Sequence, residues 1–183
     1  MINQGTKTLE TKRLILRRYT IEDAEQMYLN WASDPAVTHF LTWPTHKSID
    51  VTKRVVNDWV SHYRELNYYN WGIELKENGA LIGNIAVVGL EEEIDAAEIG
   101  YCLGKAWWGQ EIMPEALDRV IDFLFDEAGA NRVCAHHDEN NPKSGRVMEK
   151  AGMKQEGIMR AAAKNNQGIC NKVCWAVLKS DRK

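Results

Sequence analysis

The sequence contains no long apolar run, no excess of basic residues and no C-x-x-C pair of cysteines. The missing apolar run excludes a transmembrane helix. Residues 1–14 lack the apolar core that a secretory signal requires. The net charge of -3 argues against a nucleic-acid-binding surface, because such surfaces carry a basic excess. We therefore expect a cytoplasmic protein with neither a membrane nor a nucleic acid as its partner.

The four cysteines stand singly, and Cys102 and Cys134 lie inside apolar, strand-like runs. Free cysteine is among the most buried residue types, so we interpret these two as reduced, buried thiols. Adjacent side chains in a strand point to opposite faces, so His136 and His137 cannot chelate one metal together there. We predict that the protein has no metal site.

A chain of 183 residues without internal repeats, linkers or low-complexity tracts is expected to form one domain over residues 1–183. The hydrophobic pattern predicts seven strands, at 13–19, 69–75, 81–88, 98–103, 132–136, 153–163 and 172–178. It predicts four helices, at 21–31, 48–66, 114–128 and 141–151. Thr20 is the expected cap of the first helix, and Asp34-Pro35 is expected to end it. The last two strands are joined by residues 165–168. These elements indicate an α+β fold around a mixed sheet.

The most informative segment is 98–112, in which a strand breaks into a glycine-bearing loop and a helix follows. A loop that leads into a helix start presents backbone N–H groups to a phosphate. Trp107 and Trp108 within this loop are expected to pack against the helix. The segment therefore predicts a site for the phosphates of a cofactor.

A second informative segment is Asn141-Pro142-Lys143-Ser144, at the start of another predicted helix. Asn before Pro is a natural helix cap, which would explain Asn141 without a function. The same geometry places Asn141 and Ser144 side by side at the positive end of the helix, where a polar ligand or a leaving thiolate can be held. Both interpretations stand, and they do not exclude each other.

Glu98 is the third candidate, because a strand would place it on one face with Gly100 and Cys102. Gly100 has no side chain, so another group can approach the backbone there. The alternative is that Glu98 is a strand residue facing water. Glu91, Glu92 and Glu93 are interpreted as a solvated loop.

Three segments occur in the order WWGQEIMPEAL, NNPKS and EKAGM. The first two lead from a predicted strand into a helix, and the third leads from a helix into a strand. This arrangement resembles the GNAT superfamily of acetyl-CoA-dependent N-acetyltransferases. The similarity extends over TKRLILRRYTIEDAEQMY, ALIGNIAVV, AEIGYCLGKAWWGQ and NKVCWAVLKSD, and so covers nearly the whole chain. Within the superfamily, the chain resembles the ribosomal-protein alanine N-acetyltransferases. The resemblance implies a three-layer fold in which a mixed sheet of about seven strands, with a V-shaped splay, is flanked by about four helices.

The resemblance also implies acetyl-CoA as co-substrate and direct attack of an amine on its thioester. It assigns catalytic roles to three residues. Glu98 would be the base, Ser144 would donate a hydrogen bond to the leaving sulfur, and Asn141 would position the pantetheine or a water. A solvent chain or a histidine such as His136 is the alternative base. The contacts expected for the cofactor are Tyr101, Cys102, Leu103, Trp108, Gly109, Gln110, Glu111, Ile112, Met113, Asn141, Ser144 and Met148. Acceptor pockets in this superfamily are built from early helices and late strands, here around residues 31–43 and 161–171.

One residue departs from the family pattern. Residues 106–111 read AWWGQE, so only Gly109 remains of the usual glycine-rich phosphate loop, and Glu111 takes a position that is usually small. A non-glycine residue with positive φ costs roughly 1–2 kcal/mol, and a carboxylate beside a pyrophosphate repels it. If the side chain turns outward, the N–H group remains available. Glu111 therefore bears on cofactor affinity more than on the fold.

Three functions follow from these residues. The leading one is acetylation of a primary amine, foremost a protein or peptide N-terminal α-amine. The second is acetylation of a small-molecule amine such as a polyamine or an antibiotic. The third is a catalytically silent acyl-CoA-binding domain, which Glu111 suggests. The identity of the acceptor and the presence of a homodimer are left open by the sequence.

Overall fold

The structure, a computed structural model, describes residues 1–182. Its strands are β1 (Leu9–Glu10), β2 (Leu14–Arg17), β3 (Asn70–Leu75), β4 (Leu81–Glu91), β5 (Ala96–Leu103), β6 (Arg132–Asp138), β7 (Lys154–Asn165) and β8 (Gly168–Leu178). They form one mixed sheet in the order β1-β2-β3-β4-β5-β6-β8-β7. Neighbouring strands pair antiparallel, with the exception of β5 and β6, which are parallel.

Helices cover both faces of the sheet. They are α1 (Ala24–Met27), α2 (Pro35–Thr38), α3 (Ile49–His62), α4 (Ile112–Asp126) and α5 (Pro142–Lys150). An apolar stripe of α4 is buried, at Ala116, Leu117, Val120, Ile121, Leu124 and Phe125. This stripe packs on one sheet face together with the buried face of α5, whereas α1 and α3 pack on the other. The predicted α+β fold with three layers is confirmed.

The structure corrects the number and the bounds of several elements. The described residues contain eight strands and five helices, against about seven and about four predicted. The additional helix is α2, at the point where Asp34-Pro35 was expected only to end a helix. The Asp34 carboxylate accepts a hydrogen bond from the N–H of Ala36 at 2.8 Å, and Pro35 fits the first helical position. The same dipeptide therefore starts a new helix.

Other boundaries move by a few residues. The helix predicted at 21–31 is a 3₁₀ turn (Ile21–Asp23), the short α1 and a π-helical turn (Tyr28–Ala32). α3 ends at His62 instead of residue 66, and α4 begins at Ile112, two residues before Pro114. β8 begins at Gly168 instead of residue 172, because the hairpin that joins β7 and β8 continues to pair up to its tip.

The feature of the fold that positions the site is the divergence of β5 from β6. These strands pair only at Ala96↔Arg132, Ala97↔Val133 and Glu98↔Cys134. Beyond Glu98, β5 continues to Leu103 beside β4, while β6 continues beside β8. The sheet therefore opens in a V whose closed end lies at Glu98, and the side of β5 that faces β6 is unpaired over residues 99–103.

Candidate active site

The loop between β5 and α4 exposes a row of backbone N–H groups. Gly109 and Glu111 adopt positive φ values of 76° and 60°, which turn the chain into the first turn of α4. Among residues 1–182, the N–H groups of residues 109–113 donate to no backbone carbonyl. Trp108 was expected to belong to this row, but its N–H donates to the Lys105 carbonyl at 3.3 Å. Five successive N–H groups at a helix start form a cradle that fits a pyrophosphate.

Glu111 turns its side chain away from this row. Its carboxylate forms an ion pair with Lys150 in the last turn of α5, with Oε1 and Nζ separated by 2.5 Å. Both side chains are more than half exposed, at 56% for Glu111 and 52% for Lys150. The unusual residue of the loop therefore has a cationic partner, and its backbone N–H keeps the same availability as its neighbours.

Trp108 links the phosphate loop to the beginning of α5. Its indole N–H donates to the Leu103 carbonyl at 2.7 Å, and the Lys143 ammonium lies 5.4 Å from the centre of its ring. An ammonium at this distance from an aromatic face is attracted to it. Trp107 packs against the core that contains α4, whereas Trp108 is 39% exposed, so the expected packing holds for Trp107 only.

The beginning of α5 lies opposite the open side of β5. Asn141 occupies the cap position, but its side chain makes no capping hydrogen bond. Its carbonyl accepts the Ser144 N–H at 3.1 Å, so the first turn is formed without the amide group. Capping by the side chain is therefore not the role of Asn141 here, and the amide is left for another partner.

Tyr101 connects β5 to α5 across this opening. Its hydroxyl lies 2.9 Å from the Ser144 hydroxyl and donates to the Ser144 carbonyl at 3.0 Å. Burial raises the pKa of Tyr101, so the phenol stays protonated at neutral pH. Tyr101 thus fixes the position of Ser144.

The remaining predicted cofactor contacts have buried side chains. Met148 is only 1% exposed and belongs to the core between the sheet and the helices. Leu103, Ile112 and Met113 are also buried, so only their backbone groups face the loop or the opening. Cys102 is buried on the opposite sheet face, as predicted for its thiol, and burial raises its pKa to about 12. Cys134, in contrast, is only half-buried.

Glu98 stands at the closed end of the V and is already paired. Its Oε1 lies 2.5 Å from Nδ1 of His136 and 3.6 Å from Nζ of Lys172. The hydrogen bond from His136 lowers the pKa of Glu98, and the nearby Lys172 ammonium lowers it further, against the opposing effect of burial. The side chain is 30% exposed, so the alternative of a strand carboxylate that faces water is only partly met, because this carboxylate also has two protein partners. His136 was named from sequence only as an alternative base, and its contact with Glu98 depends on the β5–β6 pairing.

The sheet surface around Glu98 is shaped by a bulge in β4. The β4–β5 register shifts between Val87 and Gly89, which leaves Val88 as the extra residue of the bulge. The Val88 side chain lies over Gly100, and a Cβ added to Gly100 would come within 2.9 Å of the Val88 Cγ1. The group that approaches the Gly100 backbone is therefore a side chain of the protein itself. Beside the bulge lies a pocket of about 310 Å³, lined by Gly89, Leu90, Glu91, Ala96, Glu98 and Cys134. A pocket of similar size behind α4 contains none of the predicted site residues.

The two segments expected to form the acceptor side are in contact. The tip of the β7–β8 hairpin lies on the loop after α2, where the Asn166 amide donates to the carbonyls of Thr38 at 2.8 Å and Trp43 at 2.7 Å. The backbone N–H of Asn166 donates to the Leu41 carbonyl at 3.1 Å. The hairpin and the early helices thus form one continuous wall.

No helix within residues 1–182 is both long and apolar enough to cross a bilayer.

Two curated relatives match most of the chain. The uncharacterized N-acetyltransferase YoaA of Bacillus subtilis is 32% identical over 152 residues, which cover 83% of this chain and 85% of the relative. The [ribosomal protein uS5]-alanine N-acetyltransferase of Escherichia coli is 25% identical over 161 residues, covering 83% of this chain and 80% of the enzyme.

Solved structures share the fold at low sequence identity. The ribosomal L7/L12 α-N-protein acetyltransferase RimL, solved in complex with coenzyme A, superposes with a TM-score of 0.83 at 19% identity over 94% of this chain and 98% of that one. The microcin C7 self-immunity acetyltransferase MccE, in complex with acetyl-CoA and AMP, gives 0.82 at 18% identity over 92% and 93%. The family model described as acetyltransferase (GNAT) domain matches residues 13–154. The chain therefore belongs to the GNAT family and is an acetyl-CoA-dependent N-acetyltransferase.

Proposed function

We propose that this enzyme transfers the acetyl group of acetyl-CoA directly to the α-amino group of a protein or peptide N-terminus. The observation that carries the proposal is the row of five N–H groups at residues 109–113, which opens beside the unpaired part of β5. A cofactor with a phosphate at one end and an extended, amide-containing arm at the other fits both features.

Acetyl-CoA would lie along the V with its pyrophosphate on residues 109–113 and its pantetheine arm beside residues 99–103. The unpaired backbone there can bond the arm as a neighbouring strand would. The Asn141 amide, which does not cap α5, would contact the same arm. The thioester would then lie between β5 and the beginning of α5.

The acetyl group is transferred in a single step, without a covalent intermediate on the enzyme. The amine nitrogen forms a bond to the acetyl carbon while the carbon–sulfur bond breaks. The Tyr101 backbone N–H, on the open side of β5, is the proposed donor to the carbonyl oxygen, where negative charge develops. The Cys102 N–H, first expected in this role, points toward Asn84 of β4, because Gly104, two residues further on, donates to the Ile82 carbonyl in the same β4–β5 register. The Ser144 hydroxyl, whose oxygen lies 2.9 Å from the Tyr101 hydroxyl, would turn its single proton from Tyr101 toward the leaving sulfur, while the Tyr101 hydroxyl keeps its bond to the Ser144 carbonyl. A thiol with an ordinary pKa of about 8.5 needs only this modest assistance to leave.

Two considerations favour an N-terminal α-amine as acceptor. The α-amino group has an ordinary pKa of about 7.7–8.0, against about 10.4 for lysine, so removal of its proton at neutral pH is the easier task. The E. coli relative acts on an alanine of ribosomal protein uS5, and the superposed RimL is an α-N-protein acetyltransferase, as their names state. Both point to a protein partner.

Acetylation of a small-molecule amine is the second candidate, since the superposed MccE is a microcin immunity enzyme. The argument for a silent acyl-CoA-binding domain no longer holds, because the Glu111 carboxylate pairs with Lys150 and the Glu111 N–H group stays available. A homodimer and a cytoplasmic location remain predictions.

The test is a screen for CoA release by the purified enzyme. Peptides that begin with alanine or serine, the same peptides with blocked N-termini, a polyamine and an aminoglycoside are each supplied with acetyl-CoA. The proposal expects turnover with free peptide N-termini and none with the blocked ones. Turnover confined to the polyamine or aminoglycoside would support the second candidate. Absence of turnover with every amine, while acetyl-CoA binds, would support the silent domain.

A further inference from the structure

His136 and Glu98 form a dyad at the closed end of the V. The two residues come from the parallel pair β5 and β6, just where that pairing ends. Strand alternation places His136 and Cys134 on one face, and the pairing of Cys134 with Glu98 brings the carboxylate to that face. The Nδ1–Oε1 distance is 2.5 Å. The dyad is therefore fixed by the sheet itself.

The partner of Nδ1 decides which ring nitrogen is available. An ionised carboxylate only accepts hydrogen bonds, so Nδ1 must carry a proton in order to bond Glu98. In the neutral ring, Nε2 then carries the lone pair, and it has no hydrogen-bond partner among residues 1–182. The side chain of His136 is 32% exposed, so a substrate or a water molecule can reach it.

The groups around the ring are few. Glu98 faces it from β5, Cys174 lies opposite it on β8, Lys172 is the next residue on the same face of β8, and Cys134 and Asp138 flank it on the same face of β6. The negative charge of Glu98 is thus balanced by Lys172, while His136 supplies a hydrogen bond. Among these groups, Oε1 of Glu98 already contacts two donors, Nδ1 of His136 and Nζ of Lys172, whereas Nε2 of His136 has no hydrogen-bond partner within residues 1–182.

We propose that His136 Nε2 is the base that removes a proton from the acceptor amine, and that Glu98 is the positioning residue that fixes its tautomer and orientation. This inference rests on the proposed function. The proton passes from the ammonium group to Nε2, directly or through one water, and then to solvent. The neutral amine attacks the acetyl carbon, and its second proton ends on the departing CoA thiolate. Imidazole is the side chain best matched to proton transfer at neutral pH.

The test compares His136→Asn with Glu98→Gln and with Cys174→Ser as the matched control next to the ring. Asn can still donate to Glu98 but cannot accept a proton. We expect His136→Asn to lower kcat/KM about 100-fold at neutral pH, with the loss shrinking as the pH rises and free amine accumulates. Glu98→Gln should cost about tenfold, because its amide oxygen still accepts from Nδ1, and the double variant should be no worse than His136→Asn. Cys174→Ser should keep wild-type activity.

A second variant separates chemistry from folding. His136→Ala should regain part of its activity when imidazole is added, which a structural defect would not do, and all variants should bind acetyl-CoA with wild-type affinity. An active wild type in which Glu98→Gln loses 100-fold or more while His136→Asn stays normal at every pH would overturn this inference alone. A wild type that acetylates no amine would contradict the proposed function and remove the inference with it.

Discussion

Glu111 shows how one residue can bear opposing effects. Its positive φ of 60° costs a non-glycine residue roughly 1–2 kcal/mol. The ion pair with Lys150 returns only part of this, because exposed pairs contribute at most about 1 kcal/mol. The pair also occupies a lysine that stands beside the proposed phosphate site. Glu111 is therefore expected to destabilise the fold slightly through its backbone and to weaken cofactor binding slightly through its charge.

We predict that Glu111→Gly tightens acetyl-CoA binding by about two- to fivefold, because it removes a negative charge and frees Lys150, while relief of the positive φ stabilises the fold. Isothermal titration calorimetry measures the change. Glu111→Gln is the control that removes the charge but keeps the strain, so comparison of the two separates these effects. A large loss of affinity in the glycine variant would mean that the carboxylate has a positive role in binding.

Ser144 is expected to act only during the reaction. We predict that Ser144→Ala lowers kcat by one to two orders of magnitude at nearly constant KM for acetyl-CoA, since a hydrogen bond to a developing charge is worth about 1.5–3 kcal/mol. Tyr101→Phe, which leaves the serine hydroxyl in place but removes its partner, should show a smaller loss. Steady-state kinetics with both substrates varied gives these values. Unchanged turnover in Ser144→Ala would reduce Ser144 to a residue of the helix start.

The individual residues of the site were predictable to different extents. The N–H row and the pair Asn141 and Ser144 follow from local signals, namely a glycine loop and a cap before a helix. The partners His136 of Glu98 and Lys150 of Glu111 are 38 and 39 residues away in sequence. Their contacts depend on strand pairing and helix packing, which a single sequence does not encode locally. The alternation of β5 therefore predicted which sheet face Glu98 lies on, but not its hydrogen bond with His136.

At the scale of elements, the sequence predicted long and strongly periodic segments well. α4 and the strand pairs on either side of it have the apolar spacing of buried elements, and they lie where expected. The segment 20–38 was predicted less well, because it folds into several one-turn pieces. Short turns of this kind are stabilised by packing, here around the buried Trp31, and not by a periodic pattern.

The hairpin tip is the element whose docking can be tested. We predict that Asn166→Ala raises KM for the acceptor severalfold and leaves acetyl-CoA affinity unchanged, because it removes two hydrogen bonds that hold the β7–β8 hairpin on the loop after α2. The loss of stability should be about 1–2 kcal/mol. Gln167→Ala is the matched control, since the Gln167 amide makes one longer bond, of 3.3 Å, to the His39 carbonyl.

Kinetics with a peptide acceptor and hydrogen exchange of the hairpin amides together check this prediction. Faster exchange in β7 and β8 with an unchanged acceptor KM would mean that the hairpin is docked by Asn166 but does not contribute to acceptor binding.

At the scale of the whole molecule, the sheet is continuous everywhere except at the V. The core on the α4 side includes residues of β2, β3, β4, β5, β6 and β8, so the sheet and α4 are packed together across most of its width. In the opening between β5 and β6, the Trp108 indole bonds the Leu103 carbonyl, and the other outward backbone groups of residues 99–103 are left for a ligand or water. A bound acetyl-CoA would complete the sheet there and join β5, α4 and α5.

The last prediction is that acetyl-CoA stabilises the protein against unfolding. At about 100 times the Kd, a ligand that binds only the folded state adds roughly 2.7 kcal/mol to the free energy of unfolding. For a chain of this size, that corresponds to a rise in Tm of about 5–10 °C. Differential scanning fluorimetry with millimolar acetyl-CoA measures it, and pantetheine alone is the control, because it lacks the pyrophosphate that residues 109–113 would hold. We expect pantetheine to give a much smaller rise at the same concentration. Equal shifts would mean that the N–H row does not bind the pyrophosphate, and no shift with acetyl-CoA would contradict the proposed use of the V as its site.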